Sequence, residues 1–170
     1  EQAKVNALPP AFIWGVMREE SGFNPVAESF ANAVGLMQLI LPTAKETARP
    51  EEGAINRQTL SEPVLNVKLG ARYLAKIGRK SGAPSVVWPA AYNAGPGALR
   101  RWMKKRGHLE LDLFVDAIPY EEARGYTKRV TSSRAIYEQL YGGGPTSKPW
   151  LNLPVGISVR EAGRAAKGQP

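Results

Sequence analysis

Apolar residues recur at helical spacing over residues 9–24, and this pattern predicts an amphipathic helix. At about 100° of rotation per residue, the apolar side chains share one arc of roughly 140°. They are Phe12, Ile13, Val16 and Met17. Glu20 falls near the middle of that arc, Glu19 lies at its edge, and Arg18 points to the opposite side. Ser21-Gly22 then predicts that the helix ends directly after Glu20, where a cleft can open.

Glu20 is unusual because a carboxylate centred on an apolar stripe loses its hydration when the stripe is buried. Desolvation disfavours the ionised form, so this carboxyl group is expected to hold a proton near neutral pH. That is the property a general acid needs, and Glu19 at the edge of the arc is the weaker candidate. The alternative is that Glu20 bends into solvent or pairs with a basic neighbour.

The remaining pattern predicts an irregular loop over residues 24–34 and further helices over residues 42–48, 61–79, 97–106, 111–118 and 119–142. Residues 49–60 are predicted to be a polar loop. Gly95-Pro96-Gly97 predicts a sharp break that leaves Tyr92 and Asn93 at the edge of a groove. Because neither repeats nor strand-like alternation occur, the fold is predicted to be mainly α.

Two of these helices carry basic stripes. The stripe on residues 61–79 is interpreted as a solvated face and consists of Lys68, Arg72, Lys76 and Arg79. The helix over residues 97–106 presents a second basic surface, with Trp102 expected among its charges. In the last helix, the residues expected to pack on the core are Tyr126, Val130, Tyr137 and either Leu140 or Tyr141.

Composition narrows the possible classes of protein. The chain has 170 residues, 43% of them hydrophobic, which suits one globular domain, and it lacks an apolar run long enough to span a membrane. The net charge of +8 suggests an anionic partner, such as nucleic acid, a membrane surface or acidic cell-wall material, although solubility alone also explains it. Cysteine is absent, and the single histidine, His108, excludes a histidine metal cluster.

Four separated pieces of the chain match one known pattern. They are REESGFNP at residues 18–25, GLMQ at 35–38, AYNAGPG at 91–97, and IPYEEARGY at 118–126. In this order and at these spacings, over residues 5–141, they resemble the catalytic domain of the soluble lytic transglycosylases. These are lysozyme-like enzymes that cleave bacterial peptidoglycan. The resemblance implies a lysozyme-like helical domain with a substrate groove over residues 1–144, followed at 145–170 by a tail or linker that packs on the domain or leaves it.

The resemblance also implies the roles of individual residues. Glu20 would be the single catalytic acid/base, and Ser21 would help to hold its carboxylate. The expected substrate-binding residues are Ser21, Met37, Gln38, Tyr92, Asn93, Tyr120 and Glu122. Other readings remain open: Met37 as a core filler, Gln38 as a satisfied core amide, Tyr92 as a packed aromatic residue, and Glu122 as an ordinary first-turn helix acid.

The implied reaction cleaves the bond between N-acetylmuramic acid and N-acetylglucosamine and forms a 1,6-anhydro end, without a metal or cofactor. Peptidoglycan glycan strands would be the partner, rather than nucleic acid, and the location would be the periplasm or cell envelope of a bacterium. Glu1 at the start suggests a mature chain or a segment of a longer one, so a signal peptide and partner domains would lie outside it.

Three alternatives to this reaction are a muramidase that uses water, a catalytically silent peptidoglycan-binding module and a basic nucleic-acid binder. The chain also departs from the family pattern close to the proposed site. Phe30, Asn32 and Leu41 stand where proline, glycine and proline are usual, and Ala123 replaces a threonine. The first three departures put the substrate preference in doubt.

Overall fold

The computed structural model describes residues 1–142 and 157–165. These residues form helices and, apart from three isolated bridges, contain no β-structure, which confirms the predicted mainly α fold. The chain divides into two compact units, Glu1–Ala75 and Lys76–Pro170. None of the helices in the described residues is long and apolar enough to cross a membrane.

The first unit contains the helix predicted around Glu20 and the start of the long central helix. Its helices are α1 (Gln2–Asn6), α2 (Pro10–Ser21), α3 (Leu41–Thr47), α4 (Arg57–Leu60) and α5 (Pro63–Ser81), within which the unit ends. Residues 49–60 are not a plain loop, because a 3₁₀ helix at Pro50–Glu52 and α4 both form there. Asn56 explains α4, since its side chain accepts a hydrogen bond from the Thr59 backbone N–H (3.0 Å) and so caps the helix.

The basic stripe of α5 is only partly the solvated face that the pattern predicted. Arg72 makes a two-pronged ion pair with Glu52, whose side chain is only 2% exposed, at 2.6 and 2.8 Å. Lys68 lies 3.1 Å from the same carboxylate. The hydrogen bond from Arg72 leads the effects that lower the pKa of Glu52 to about 2. The 3₁₀ helix is therefore tied to α5 by a buried ion pair.

The second unit is a cluster of helices around α9. It contains a 3₁₀ helix at Ser85–Val87, α6 (Trp88–Ala94), α7 (Pro96–Arg106), α8 (Leu111–Asp116), α9 (Glu121–Tyr141) and α10 (Val159–Ala165). Helix α6 packs on both α7 and α9, and α8 packs on α9. The buried face of α9 includes Tyr126 and Val130, as predicted.

Two expectations about side chains in the second unit are wrong. Trp102 does not lie among the charges of α7, because it is only 5% exposed and packs edge-to-face on Tyr120, with ring centroids 5.3 Å apart. Leu140 and Tyr141 do not pack on the core, since both are more than 60% exposed. The ring of Tyr141 instead stacks on Tyr137, 6.3 Å away. Helical periodicity predicts the face of the helix on which a side chain lies. It does not predict how far along the helix axis the core extends.

Most of the segment predicted as a tail, residues 145–170, lies outside the described residues. The described part, residues 157–165, contains α10, which the sequence pattern did not predict. The backbone N–H groups of Val159 and Arg160 donate to Leu109 and Gly107 (2.9 and 3.0 Å). A Cβ at Gly163 would stand only 2.0 Å from the Gly82 carbonyl oxygen, so glycine permits this close docking. This part of the segment packs on the second unit.

Candidate active site

Glu20 lies in the last turn of α2, on the side that faces the core. Phe12, Ile13 and Val16 are buried, as the apolar arc predicted, and Glu20 is half-buried, whereas Arg18 is exposed. The helix ends one residue later, because Gly22 adopts φ +58° and its N–H donates to the Arg18 carbonyl oxygen (3.0 Å). The predicted end of the helix directly after Glu20 is therefore confirmed, and Glu20 is partly buried there.

Glu19 is less exposed than its place at the edge of the arc suggested. Its side chain is 14% exposed, and its carboxylate lies 3.8 Å from Arg18 Nε. Two neighbouring carboxylates thus occupy the end of α2, which makes Glu19 a natural control for experiments on Glu20.

Ser21 connects the end of α2 to the loop at residues 35–38. Its hydroxyl lies 2.9 Å from the Leu36 carbonyl oxygen and 3.1 Å from the Met17 carbonyl oxygen. A hydroxyl group has a single proton to donate, and here Ser21 donates it to these backbone carbonyl oxygens. Ser21 therefore fixes the GLMQ segment against the helix that carries Glu20. Its expected contact with the carboxylate of Glu20 stays a prediction.

Asn66 is the residue that sequence reasoning missed. It is fully buried, and its amide group donates to the carbonyl oxygens of Val34 (2.8 Å) and Leu60 (2.9 Å). Its side-chain oxygen accepts from the Met37 N–H at 2.7 Å. The sequence offered one sign of this role, because Asn66 is a polar residue on the largely apolar face of α5. The same kind of sign drew attention to Glu20 on α2.

The side chain of Asn66 also explains the glycine that opens the GLMQ segment. Gly35 has φ +80°, and a Cβ there would stand 2.4 Å from Asn66 Nδ2 and 2.8 Å from the Leu60 carbonyl oxygen. Only glycine combines this backbone conformation with such close contacts. Asn66 and Gly35 together hold the loop in one position.

The side chains of Gln38 and Met37 are both fixed by other residues of the first unit. The Gln38 amide nitrogen donates to the carbonyl oxygens of Ala27 and Gly35, both at 2.9 Å, and its backbone has a positive φ of 45°. What remains for a ligand is the amide oxygen, an acceptor. Met37 is completely buried, and a Cβ at Gly70 would lie 2.4 Å from its sulfur atom. The side chain of Met37 therefore has the packing role that the sequence left open.

The other predicted residues lie in the second unit, at the end of α6 and the start of α9. Gly95, with φ +84°, ends α6 as predicted, two residues after Asn93. Tyr92 is half-buried and Asn93 is exposed. The Asn93 amide nitrogen donates to the Glu122 carboxylate (3.1 Å). Tyr120 is half exposed, and its ring packs on Trp102. The structure thus brings Asn93 and Glu122 together and leaves about half of Tyr120 exposed.

An apolar cavity of about 550 Å³ lies beside α2 in the first unit. Its lining includes Ile13, Trp14, Met17, Leu36, Val64 and Val67. None of the predicted site residues lines it, so this cavity differs from the place where the sequence predicts the sugar to bind. Among the described residues, no group of three or more histidine, cysteine, aspartate or glutamate side chains could hold a metal ion.

Comparisons with known proteins agree with the resemblance of the sequence. The soluble lytic murein transglycosylase of Escherichia coli is 34% identical over 142 residues, which cover 82% of this chain and 22% of that protein. The soluble lytic murein transglycosylase of Salmonella typhimurium is also 34% identical, over 140 residues, and 79% of this chain and 21% of that protein are covered. The chain therefore spans about a fifth of the length of these relatives.

A solved structure has the same fold. It is the lytic transglycosylase Slt of Pseudomonas aeruginosa, in the form of an inactive glutamate-to-glutamine mutant. It is 37% identical, with a TM-score of 0.79, and 88% of this chain and 24% of that chain are covered. The family description "Transglycosylase SLT domain" matches residues 1–115, which include α2, the GLMQ loop and the AYNAGPG segment. On this match and these relatives, the chain belongs to the Transglycosylase SLT domain family.

Proposed function

We propose that the chain is a peptidoglycan lytic transglycosylase domain in which Glu20 is the single acid/base. The relatives named as murein transglycosylases support the activity and the substrate, since murein is the peptidoglycan of the bacterial cell wall. They also support action in the periplasm or cell envelope. The glutamate-to-glutamine change in the inactive Pseudomonas aeruginosa enzyme supports a catalytic glutamate.

The observation that carries the proposal is the position of Glu20 within the first unit. Its carboxylate is half-buried on an apolar helix face, and the next residue, Ser21, fastens the helix end to the GLMQ loop. Partial burial and the negative end of the α2 dipole both favour the protonated carboxyl group. A protonated and rigidly held carboxyl group is suited to general acid catalysis.

The reaction needs one carboxyl group and the substrate's own groups. Glu20 donates its proton to the oxygen that links N-acetylmuramic acid to N-acetylglucosamine, and the bond from that oxygen to C1 breaks. The N-acetyl oxygen of the muramic residue stabilises the positive charge at C1. The Glu20 carboxylate then takes the proton of the C6 hydroxyl, O6 bonds to C1, and a 1,6-anhydro end forms. Glu20 is again protonated, and no water is consumed.

The residues of the second unit would bind the glycan strand. Asn93 and Glu122 form a hydrogen-bonded pair that offers polar groups to the hydroxyl and amide groups of a sugar. Tyr120 offers a half-exposed ring, and Tyr92 would present its hydroxyl close to the reacting sugar. Because the nucleophile belongs to the substrate, the binding residues must above all position the C6 hydroxyl at C1.

Digestion of purified sacculi followed by mass spectrometry tests the proposal. The wild-type protein should release muropeptides with anhydro ends, which are lighter by one water than the products of a muramidase. Glu20→Gln should lower the rate about 10³-fold or more while the protein still sediments with sacculi, since the general acid and base are lost together. The matched control is Glu19→Gln, which should retain most of the activity.

Each alternative has its own result in this assay. Reducing ends in place of anhydro ends would identify a muramidase. Binding to sacculi without any released product would identify a silent binding module. Undiminished turnover by Glu20→Gln would remove Glu20 from the mechanism.

A further inference from the structure

Phe30 stands at the tip of a tight turn in the first unit and is fully exposed, with a relative accessibility of 112%. Backbone hydrogen bonds close the turn, from the Ser29 N–H to the Ala33 carbonyl oxygen (3.0 Å) and from the Asn32 N–H to the Ser29 carbonyl oxygen (2.9 Å). The Ala33 N–H also donates to the Ser29 hydroxyl (3.1 Å). An aromatic ring held in water contributes no burial free energy to folding, so stability does not explain the residue.

The loop that carries Phe30 is fixed at its base. The Ala27 carbonyl oxygen accepts from the Gln38 amide nitrogen and from the Gly35 N–H, both at 2.9 Å. Arg57 holds the outer part, because it donates to the Asn32 side-chain oxygen (3.0 Å) and pairs with Glu28. The ring therefore projects from a braced segment, and binding against it would cost little conformational entropy.

The loop that carries Phe30 is hydrogen-bonded to the GLMQ segment of the proposed sugar site. Phe30 is three positions from Ala27 in the sequence, so the two Cα atoms are at most about 10 Å apart. Ala27 is hydrogen-bonded to Gln38, and the GLMQ segment is bonded through Leu36 to Ser21, beside Glu20. These hydrogen bonds join the base of the loop that carries Phe30 to the end of the helix that carries Glu20.

We propose that Phe30 is an aromatic platform on which a sugar ring of the glycan strand stacks, next to the sugars held at the reacting bond. The inference rests on the proposed function and adds a binding position to it. One face of a pyranose ring carries C–H bonds with partial positive charge, and these pack on the negative face of an aromatic ring. The surrounding Ser29, Asn32 and Arg57 supply hydrogen-bonding groups for the hydroxyl and amide groups at the sugar's edge.

A single exposed apolar side chain is ordinary and would carry no inference by its exposure alone. Here the ring is held on a braced turn, and the next large apolar side chain of the loop, Val26, is also 67% exposed. A membrane surface is a poorer fit, because residues 24–34 contain neither lysine nor arginine, whereas anionic lipids favour clusters of basic residues. A neutral, amphipathic sugar fits both the ring and its polar rim.

The test compares Phe30→Ala, Phe30→Leu and Phe30→Trp on peptide-free glycan strands of two lengths. On long strands, Phe30→Ala should raise KM about fivefold to tenfold with kcat unchanged, which is the range for one lost aromatic contact. Phe30→Leu should behave like Phe30→Ala because it keeps an apolar side chain but loses the ring. Phe30→Trp should match the wild type, and oligosaccharides too short to reach the loop should show no difference.

Val5→Ala is the control, since Val5 is another exposed apolar residue of the first unit, on α1, and its substitution should leave KM unchanged. An unchanged KM for Phe30→Ala on long strands, or full rescue by leucine, would overturn the platform. Two other results would also overturn the platform, provided that Phe30→Ala leaves glycan binding unchanged. One is an affinity for anionic phospholipid vesicles that depends on Phe30, and the other is a dimer in sedimentation that depends on Phe30.

Binding of the long strands to the Glu20→Gln protein, with and without Phe30→Ala, separates this inference from the proposed reaction. Phe30-dependent binding in the absence of any wild-type product would uphold the platform and overturn the reaction. Normal product release with a Phe30-independent KM would overturn only the platform. The absence of both binding and product would overturn both.

Discussion

Two glutamates of the first unit, Glu20 and Glu52, are withdrawn from solvent, but their surroundings differ. Glu52 receives a two-pronged hydrogen bond from Arg72, lies 3.1 Å from Lys68 and accepts from the Arg49 backbone N–H at 2.7 Å. Glu20 lies on an apolar arc at the negative end of a helix. The cations around Glu52 hold that carboxylate in its ionised form, because the hydrogen bond from Arg72 leads the effects that lower its pKa. A carboxylate intended as a general acid needs surroundings of the other kind, which favour the proton.

The largest expected effect concerns the pH dependence of the ion pair. The pKa of Glu52 is about 2 in the folded protein against 4.5 for the free side chain, so its ionised form stabilises the fold by about 3 kcal/mol at pH 7. This stabilisation is complete above about pH 4.5 and is lost as the pH falls towards 2. Urea unfolding of the wild type and Glu52→Gln should show a difference in unfolding free energy that is full at pH 7 and shrinks below pH 4.5. A difference that does not change with pH would contradict the ion pair as its source.

Removal of the main cation should have a similar effect at neutral pH. Arg72→Met leaves the buried charge of Glu52 with only Lys68 as a cationic partner among those described above. The substitution should therefore lower the unfolding free energy by about 3 kcal/mol. Chemical denaturation at pH 7 measures this, and Lys45→Met, which removes an exposed lysine of the same unit, should change it by less than about 0.5 kcal/mol. A loss below about 1 kcal/mol for Arg72→Met would mean that the pair resembles an ordinary surface salt bridge.

The second cation should matter less. Lys68 is 34% exposed and contributes a single contact to Glu52, so Lys68→Met should cost less than about 1 kcal/mol. The same denaturation experiment checks the ranking of the two cations. If Lys68→Met proved as costly as Arg72→Met, the two-pronged geometry of Arg72 would not be the main source of stability.

The smallest effect on stability should come from Glu20 itself. Glu20→Gln should change the unfolding free energy by less than about 0.5 kcal/mol, or raise it slightly, because functional groups are seldom chosen for stability. Thermal and urea unfolding of this variant, beside its activity assay, provide the measurement. A loss as large as that of Glu52→Gln would place Glu20 with the structural carboxylates.

The sequence by itself determined most of the longer helices and the position of the candidate acid within one of them. Proline at helix starts, glycine at helix ends and apolar spacing act within a few residues, and they gave α2, α5, the break at Gly95 and the long α9 close to their observed bounds. The same local rules placed Glu20 on the buried face of α2, one residue before its end.

Only the tertiary structure decided which distant groups meet. Glu52 pairs with Arg72 across 20 positions, and Asn66 clamps Met37 across 29, because chain packing rather than local propensity brings them together. The same holds for the burial of Trp102 and for the docking of α10 on residues 107–109. A pattern along the chain gives the face on which a side chain lies. Whether that side chain then contacts a cation, an apolar wall or water depends on residues far away in the sequence.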